Sequence, residues 1–284
     1  MKDDIAKLFN IEPLSNIEFE KFSELFRKIS GINIKADKKG LVDSRLRKKL
    51  LDLQISPNDY FNLLQQSKEE LNEFISALTT HKTDWFREPI HFRVIEDYFC
   101  NRKANAPYRK SLSHPISCWS AACSTGEEIY TLAMTLNQLN EDIGNWKLLG
   151  SDISSHCVEH AKKGIYKCDT IDKQVSKEHI KRYFLRNIDP KFKDLYLFTP
   201  EFEHRIEFIE YNLIKSKLPS SYSFDVILLR NVLIYFEKEV ISHIVKQLYT
   251  YLKPGGLLIL GLAESISNPE QFNLKRLESS VYLK

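Results

Sequence analysis

The densest chemistry in this 284-residue chain lies in the run Trp119-Ser-Ala-Ala-Cys-Ser-Thr-Gly126-Glu127-Glu128. Small residues let a backbone approach a ligand closely, and the helix expected to open at Glu127 offers unpaired N–H groups. Farther on, Ser151-Asp152 closes the next apolar run. An acidic side chain at that place can accept hydrogen bonds from both hydroxyls of a ribose. Taken singly, each has a plainer explanation: a tight strand–helix turn for the first, an N-cap for Asp152. Together they favour a ligand. The run is neither G-x-G-x-x-G nor a Walker A loop, which argues against NAD and ATP.

Two more sets of residues qualify. Arg230 and Asn231 follow the apolar run Phe224–Leu229, and Tyr235 can turn an aromatic face to a cation. Val232, Ile234 and Phe236 beside them read as packed. In Leu78-Thr-Thr-His-Lys-Thr-Asp-Trp-Phe-Arg-Glu88, Thr83 and Arg87 are four apart and can share one side of a helical turn. An arginine fork suits a carboxylate, although a solvated linker arginine is the plainer alternative.

Positioning these groups requires a sheet, and from about Pro115 strands and helices alternate. Strands are expected over Pro115–Ala122, Lys147–Ile153, Phe224–Leu229 and Gly256–Leu262. Helices are expected over Glu127–Asn140, from Ser154 to about Lys163, and over Lys238–Leu252, the last stopped by Lys253-Pro254-Gly255-Gly256. This rhythm indicates a mostly parallel sheet covered on both faces. Residues 183–212 fit it poorly. Leu195–Phe198 and Arg205–Ile209 read as short strands around Thr199-Pro200-Glu201, a hairpin or a pair of edge strands in a small β insertion. Residues 1–80 read as a separate helical domain, and residues 81–114 as a linker and connecting helix. In the first, Phe22, Leu25, Phe26 and Ile29, then Leu71, Phe74, Ile75 and Leu78, keep helical spacing. Ser15 with Glu18 has capping-box spacing, and Ser56-Pro57 reads as N-cap and N1.

Composition removes several function classes. With 43% hydrophobic and 28% charged residues, the chain groups with ordinary globular proteins. No apolar run is long enough to span a membrane, and Met1–Asn10 does not read as a signal peptide. Cys100, Cys118, Cys123, Cys157 and Cys168 are odd in number and form no C-x-x-C pair, which fits reduced thiols in a cytoplasm. The eight histidines show no H-E-x-x-H or similar spacing, so no metal is implied. A net charge of +3 does not argue for nucleic acid. Charge is concentrated, however, in Lys35, Lys38, Lys39, Arg45, Arg47, Lys48 and Lys49, against only Asp37 and Asp43. Leu41, Val42, Leu46 and Leu50 can anchor one face of that helix. The segment lacks the interleaved aromatics of a nucleic-acid surface, and a solvated face is its plainer reading.

In order along the chain stand T-T-H-K-T-D-W-F-R-E, W-S-A-A-C-S-T-G-E-E, G-S-D-I, Y-N-L, F-D-V-I-L-L-R-N-V-L-I-Y-F, L-K-P-G-G and G-L-A-E-S. By these segments the chain resembles the CheR family of chemotaxis receptor methyltransferases over nearly its whole length. The resemblance implies an N-terminal all-helical domain and an α/β domain of the doubly wound, Rossmann-like kind. The latter binds S-adenosylmethionine (SAM) and bears a small antiparallel β subdomain. It implies a cytoplasmic enzyme that esterifies glutamate side chains on the cytoplasmic domains of methyl-accepting chemotaxis receptors and releases S-adenosylhomocysteine. The family's SAM-binding residues fall on His81, Thr83, Arg87, Glu128, Asp152, Asn212, Leu213, Arg230 and Asn231. Tyr235 matches the tyrosine near the transferred methyl, and Arg87, Arg230 and Tyr235 form the expected catalytic set. His81 stands where the family usually has Asn, Trp85 replaces a usual Phe, and Ile129 a usual Pro. Gly261-Leu-Ala-Glu264 lacks the polar residue often found before that Glu.

Receptor contact is expected through the basic segment Lys35–Lys49 and the β subdomain, with no nucleic acid and no membrane insertion. Some relatives grip a receptor C-terminal peptide through a glycine-containing loop of that subdomain. No glycine occurs between Gly164 and Gly255, so no such tether is expected here. A small-molecule methyltransferase on the same fold and a non-catalytic SAM-sensing module are the rival readings. The helical domain argues against the first, and the retained Arg87, Asp152, Arg230, Asn231 and Tyr235 against the second.

Overall fold

The computed structural model describes residues 13–105, 115–139 and 145–284. The reading of Met1–Asn10 as no signal peptide, and the end of a helix at Asn140, lie outside the described residues.

The first four long helices are α1 (Asn16–Ser30), α2 (Lys39–Leu53), α3 (Pro57–Gln66) and α4 (Lys68–Leu78). The capping box forms as its spacing predicts: Glu18 N donates to Ser15 Oγ at 3.2 Å, and Ser15 N donates to Glu18 Oε2 at 2.8 Å. Ser56 caps α3, with Pro57 as the first helical residue. Phe22, Phe26, Leu46, Leu50 and Phe74 close a core of their own, against which Ile153 packs from the second domain. A further helix, α5 (Ile90–Asn105), leads out of the linker.

The second domain is built on a seven-stranded sheet. Its strands are β1 (Ile116–Ser120), β2 (Trp146–Asp152), β6 (Ile206–Glu210), β7 (Phe224–Leu229), β8 (Leu252–Leu260), β9 (Lys275–Glu278) and β10 (Val281–Leu283). Their order is β6-β2-β1-β7-β8-β10-β9, parallel from β6 to β8 and antiparallel beyond. All six residues of β7 are buried, as a strand covered on both faces requires. Helices α6 (Glu127–Gln138), α7 (Ser155–Lys163) and α10 (Lys238–Tyr251) supply the covering layers. The chain leaves β1 toward β2 and β6, then returns to β7 on the other side of β1. This reversal opens a crevice at the carboxyl ends of β1 and β7, the usual ligand position in such sheets.

A separate antiparallel sheet, in the order β3-β5-β4, holds β3 (Ile165–Lys167), β4 (Phe184–Arg186) and β5 (Leu195–Phe198). The short helices α8 (Cys168–Gln174) and α9 (Lys177–Tyr183) lie between β3 and β4. The expected hairpin between Leu195–Phe198 and Arg205–Ile209 does not form. β5 pairs with β3 and β4, whereas β6 joins β2 in parallel at the edge of the large sheet. Phe208 and Ile209 explain why: they feed the cores on opposite faces of that sheet, and a two-stranded hairpin would leave one face uncovered. The small sheet therefore spans residues 165–198, not 183–212.

Candidate active site

The turn between β1 and α6 holds the first part of the site. Ser124, at φ 49°, donates its N–H to Asp152 Oδ2 at 2.9 Å, and Ser154 N donates to Asp152 Oδ1 at 3.0 Å. Gly126 is required here. At φ 104° an added Cβ would lie 2.6 Å from the Tyr166 hydroxyl. Burial pushes the Asp152 carboxyl up, against the pull of the Ser154 and Ser124 N–H groups. The plainer reading of Asp152 as a helix cap is settled by its neighbour: Ser154 caps α7, accepting from Cys157 N at 3.3 Å. With four acceptor positions on its two oxygens, the Asp152 carboxylate keeps acceptor capacity beyond these backbone N–H groups.

Arg230, at the end of β7, is the hub of the second part. Its side chain is only 1% exposed. Nη1 donates to Glu128 Oε2 at 2.9 Å, and Nη2 donates to Glu88 Oε2 at 3.1 Å and to the Arg87 carbonyl. Glu128 Oε1 accepts from Ser120 Oγ at 2.7 Å. Glu88 also accepts from Asn231 Nδ2 at 3.1 Å and from Leu262 N at 3.2 Å. Burial works to raise the Glu88 carboxyl, but Asn231, Arg230 and the Leu262 N–H outweigh it and hold the group below its ordinary value. Behind this cluster His91, fully buried, is pushed down to about 4 by burial and by Arg230, with Glu88 opposing.

Glu264 fixes the loop that follows Arg230. It is 5% exposed and accepts from Asn231 N, Gly261 N and Leu233 N at 2.7 Å each, and from Ile234 N at 3.4 Å. Of the six described non-glycine residues with positive φ, Gln54 and Asn273 end helices, and the other four are Phe86, Glu88, Ser124 and Asn231. Such positions cost about 1–3 kcal/mol each and persist where surrounding structure over-determines them.

These elements enclose a cavity of about 540 Å³ under the helical domain, within the usual range for small-molecule sites. His81, Thr83, Arg87, Glu128, Asp152, Asn212, Leu213, Arg230, Asn231 and Tyr235 all line it. Arg87 donates Nη1 to the Lys82 carbonyl at 3.1 Å and has no carboxylate partner among the described residues. Asn212 is largely occupied already: Nδ2 donates to the Ile29 carbonyl at 2.8 Å, and Oδ1 accepts from Ile214 N at 3.0 Å. Ile234, expected to be packed, is 60% exposed at the cavity wall. A 3₁₀ turn at Leu233–Tyr235 buries Leu233 and turns Ile234 outward.

The basic segment also differs from its expectation. Arg45 Nη1 donates to the carbonyls of Leu78 and Thr79 at 3.0 and 3.1 Å, closing the end of α4. Arg47 pairs with Asp43, and Lys49 with Glu70 at 2.9 Å. Lys39 donates to Asn16. Lys35, Lys38 and Lys48 remain exposed without an ion pair among the described residues. Val42, Leu46 and Leu50 anchor the helix as expected, but Leu41 is 45% exposed and lines the cavity.

The family described as "CheR methyltransferase, SAM binding domain" matches residues 81–281, and "CheR methyltransferase, all-alpha domain" matches residues 17–79. The chain belongs to the CheR methyltransferase family. A chemotaxis protein methyltransferase of Escherichia coli is 34% identical over 262 residues, 91% of this chain and 87% of that protein. One from Klebsiella aerogenes is 35% identical, over 93% and 88%. One from Borreliella burgdorferi is 32% identical, over 95% of each chain. As a CheR enzyme, the protein is a SAM-dependent methyltransferase. The cavity fits that cofactor: its volume suffices, and Asp152 on its wall has unused acceptor capacity.

Two residues that hold the CheR site were not marked as functional by sequence reasoning. Glu88 and Glu264 both fall inside family segments, but their partners are a buried arginine and backbone N–H groups that spacing does not reveal.

Proposed function

We propose that the enzyme transfers the methyl group of SAM to glutamate side-chain carboxylates on the cytoplasmic domains of methyl-accepting chemotaxis receptors, forming methyl esters. The observation that carries this reading is the convergence of all ten candidate residues on one cavity whose mouth bears unpaired lysines. In the reaction SAM supplies an electrophilic methyl group on a positive sulfur. A substrate glutamate, with a reference pKa of about 4.3, is already ionised and requires no general base. The protein's task is alignment, which in favourable models is worth about 7–11 kcal/mol.

Asp152 holds the ribose through its remaining acceptor capacity. Arg87, whose guanidinium has one backbone partner, holds the cofactor carboxylate, with Glu128 and Thr83 at the same end. Asn212 and Leu213 line the adenosine side, while His81, whose ring is fully engaged, offers mainly its backbone. Arg230 lies between Glu88 and Glu128, a position that suits balancing the site's charge better than gripping the incoming carboxylate. Asn231 shapes the loop beside it, and Tyr235 walls the methyl pocket.

The same proposal places the enzyme in the cytoplasm; no described helix is long and apolar enough to cross a membrane. It divides the chain into a helical domain (1–80), a connecting segment (81–114) and the catalytic domain (115–284). Receptor docking falls to Lys35, Lys38 and Lys48, together with the β subdomain. A receptor C-terminal tether is not needed, in keeping with a β4–β5 connection that nowhere takes positive φ. The test uses labelled SAM and receptor-containing membranes. Base-labile label released as methanol is the expected result; label that is base-stable, or absent from receptor, overturns the proposal.

A further inference from the structure

Around Asp152 the cavity wall holds a cluster whose other side-chain groups, the His81 imidazole and the Cys157 thiol, have no part in methyl transfer. His81 Nδ1 lies 3.0 Å from Cys157 Sγ. Ligand atoms of His81, Cys157 and Asp152 all lie within 4.8 Å of one another. The imidazole tautomer is set from behind, where Nε2 lies 2.8 Å from the Ser76 carbonyl oxygen. That oxygen can only accept, so Nε2 carries the proton and Nδ1 turns its lone pair to Cys157. A backbone carbonyl on the remote nitrogen is the support that metal-ligating histidines ordinarily have. Burial raises the Cys157 thiol to about 12, so without a cation its S–H faces Nδ1 as a hydrogen-bond donor.

We propose that His81 Nδ1, Cys157 Sγ and an Asp152 oxygen form a site for a thiophilic divalent cation of the zinc class, and that filling it excludes the cofactor. Exclusion rests on the reading of Asp152 as the ribose carboxylate. Imidazole, thiolate and carboxylate are zinc's ordinary donors. Bonds of about 2.0–2.3 Å at tetrahedral angles place neighbouring donors about 3.3–3.6 Å apart. The His81–Cys157 pair must therefore open by about half an ångström, and Asp152 must close in. The fourth position faces the cavity, which His81 and Asp152 both line. On binding, the thiol proton leaves to solvent and a sulfur–metal bond forms, with no redox change. Thiolate and carboxylate then balance the ion, and the buried cluster is neutral overall. Histidine spacing along the chain cannot reveal the site, because its members come from the linker, the end of β2 and α7.

The test uses the full chain, freed of metal and kept reduced. Calorimetry should find one equivalent of Zn²⁺. Co²⁺ should give a thiolate-to-metal charge-transfer absorption that Zn²⁺ abolishes. Cys157→Ser should lose that absorption, and Cys157→Ser and His81→Asn should each weaken zinc by more than the roughly 10–100-fold that loss of an outer partner costs. Thermal melts without metal establish that both variants fold. Zinc should raise the apparent Kd of S-adenosylhomocysteine in the wild type and not in Cys157→Ser. Absence of the absorption, or zinc binding unaltered in both variants, overturns the site. Zinc binding with unaltered homocysteine-product affinity overturns the exclusion. Asp152→Ala, measured without metal, separates the two readings: if it binds the product normally, the ribose assignment has failed as well.

Discussion

The two walls of the cavity use charge in opposite ways. On the sheet-domain wall, Arg230 is bound between Glu88 and Glu128, Glu264 gathers four backbone N–H groups, and Asp152 holds two. On the helical-domain wall, Lys35 and Lys38 stand exposed beside Leu41, with no ion pair among the described residues. Buried charges need partners before any ligand arrives, and here they have them, apart from Arg230 Nε. Exposed ones contribute little to stability and are free to meet a partner. Under the proposed function, the sheet wall serves alignment and the helical wall encounter.

The comparison breaks first at Arg230. Arg230→Ala should abolish methyl transfer and lower stability by about 3–5 kcal/mol in urea denaturation, because two largely but not fully buried carboxylates lose their cation. Arg87→Ala should abolish transfer with little change in that midpoint, since its guanidinium bonds only one carbonyl. Equal destabilisation by the two substitutions would erase the contrast between a structural and a ligand-directed arginine. Next in size is Asp152→Ala. Two charge-assisted bonds to the ribose are worth about 1.5–3 kcal/mol each, so calorimetry should find product binding weakened by at least two orders of magnitude.

His91 sharpens the picture of the sheet wall through pH. Its folded pKa, about 4, lies below the ordinary 6.5, so the unfolded chain takes up the proton first. Its contribution is therefore complete above about pH 6.5, declines as pH falls, and is gone below about pH 4. Replacement by Gln should flatten the stability profile across that window, read from urea midpoints at successive pH values.

The smallest effect belongs to the helical wall. Lys35→Glu, Lys38→Glu and Lys48→Glu together should raise the Michaelis constant for receptor, most at low salt, and leave the folded state intact. Reversing Arg45, Arg47 and Lys49 instead should destabilise the helical domain, because these three close the end of α4 and pair with Asp43 and Glu70. If both triple variants shift receptor kinetics alike and melt alike, the division of that segment into internal and outward cations is wrong.

The parts legible in the sequence were those whose physics is local. Capping at Ser15 and Ser56, the apolar run of β7 and the helix at Glu127 all follow from neighbours a few residues apart. That Asp152, Arg230 and Asn231 line one cavity could be read because strand ends in such a sheet converge on one crevice. The rest depended on contacts distant in sequence. Whether Arg45 is solvated or caps α4 is decided by a helix thirty-three residues away. Nor does Arg205–Ile209 itself carry the choice between a hairpin with β5 and a place beside β2, which rests on the two cores its side chains enter. Glu264 is silent for the same reason, since its partners are main-chain groups shared by every sequence.

That last carboxylate bears on the order in which the molecule assembles. The Arg230 loop is clasped by a residue beyond β8, so it cannot settle when β7 first pairs with β1. During synthesis, when domains fold from the N-terminal side, the helical domain and β1, β2 and β6 can be in place while the loop after Arg230 is still waiting for Glu264. A nascent chain not yet extended to Glu264 would thus possess the crevice, with Arg230 already between Glu88 and Glu128, but without a fixed turn from Asn231 to Ile234.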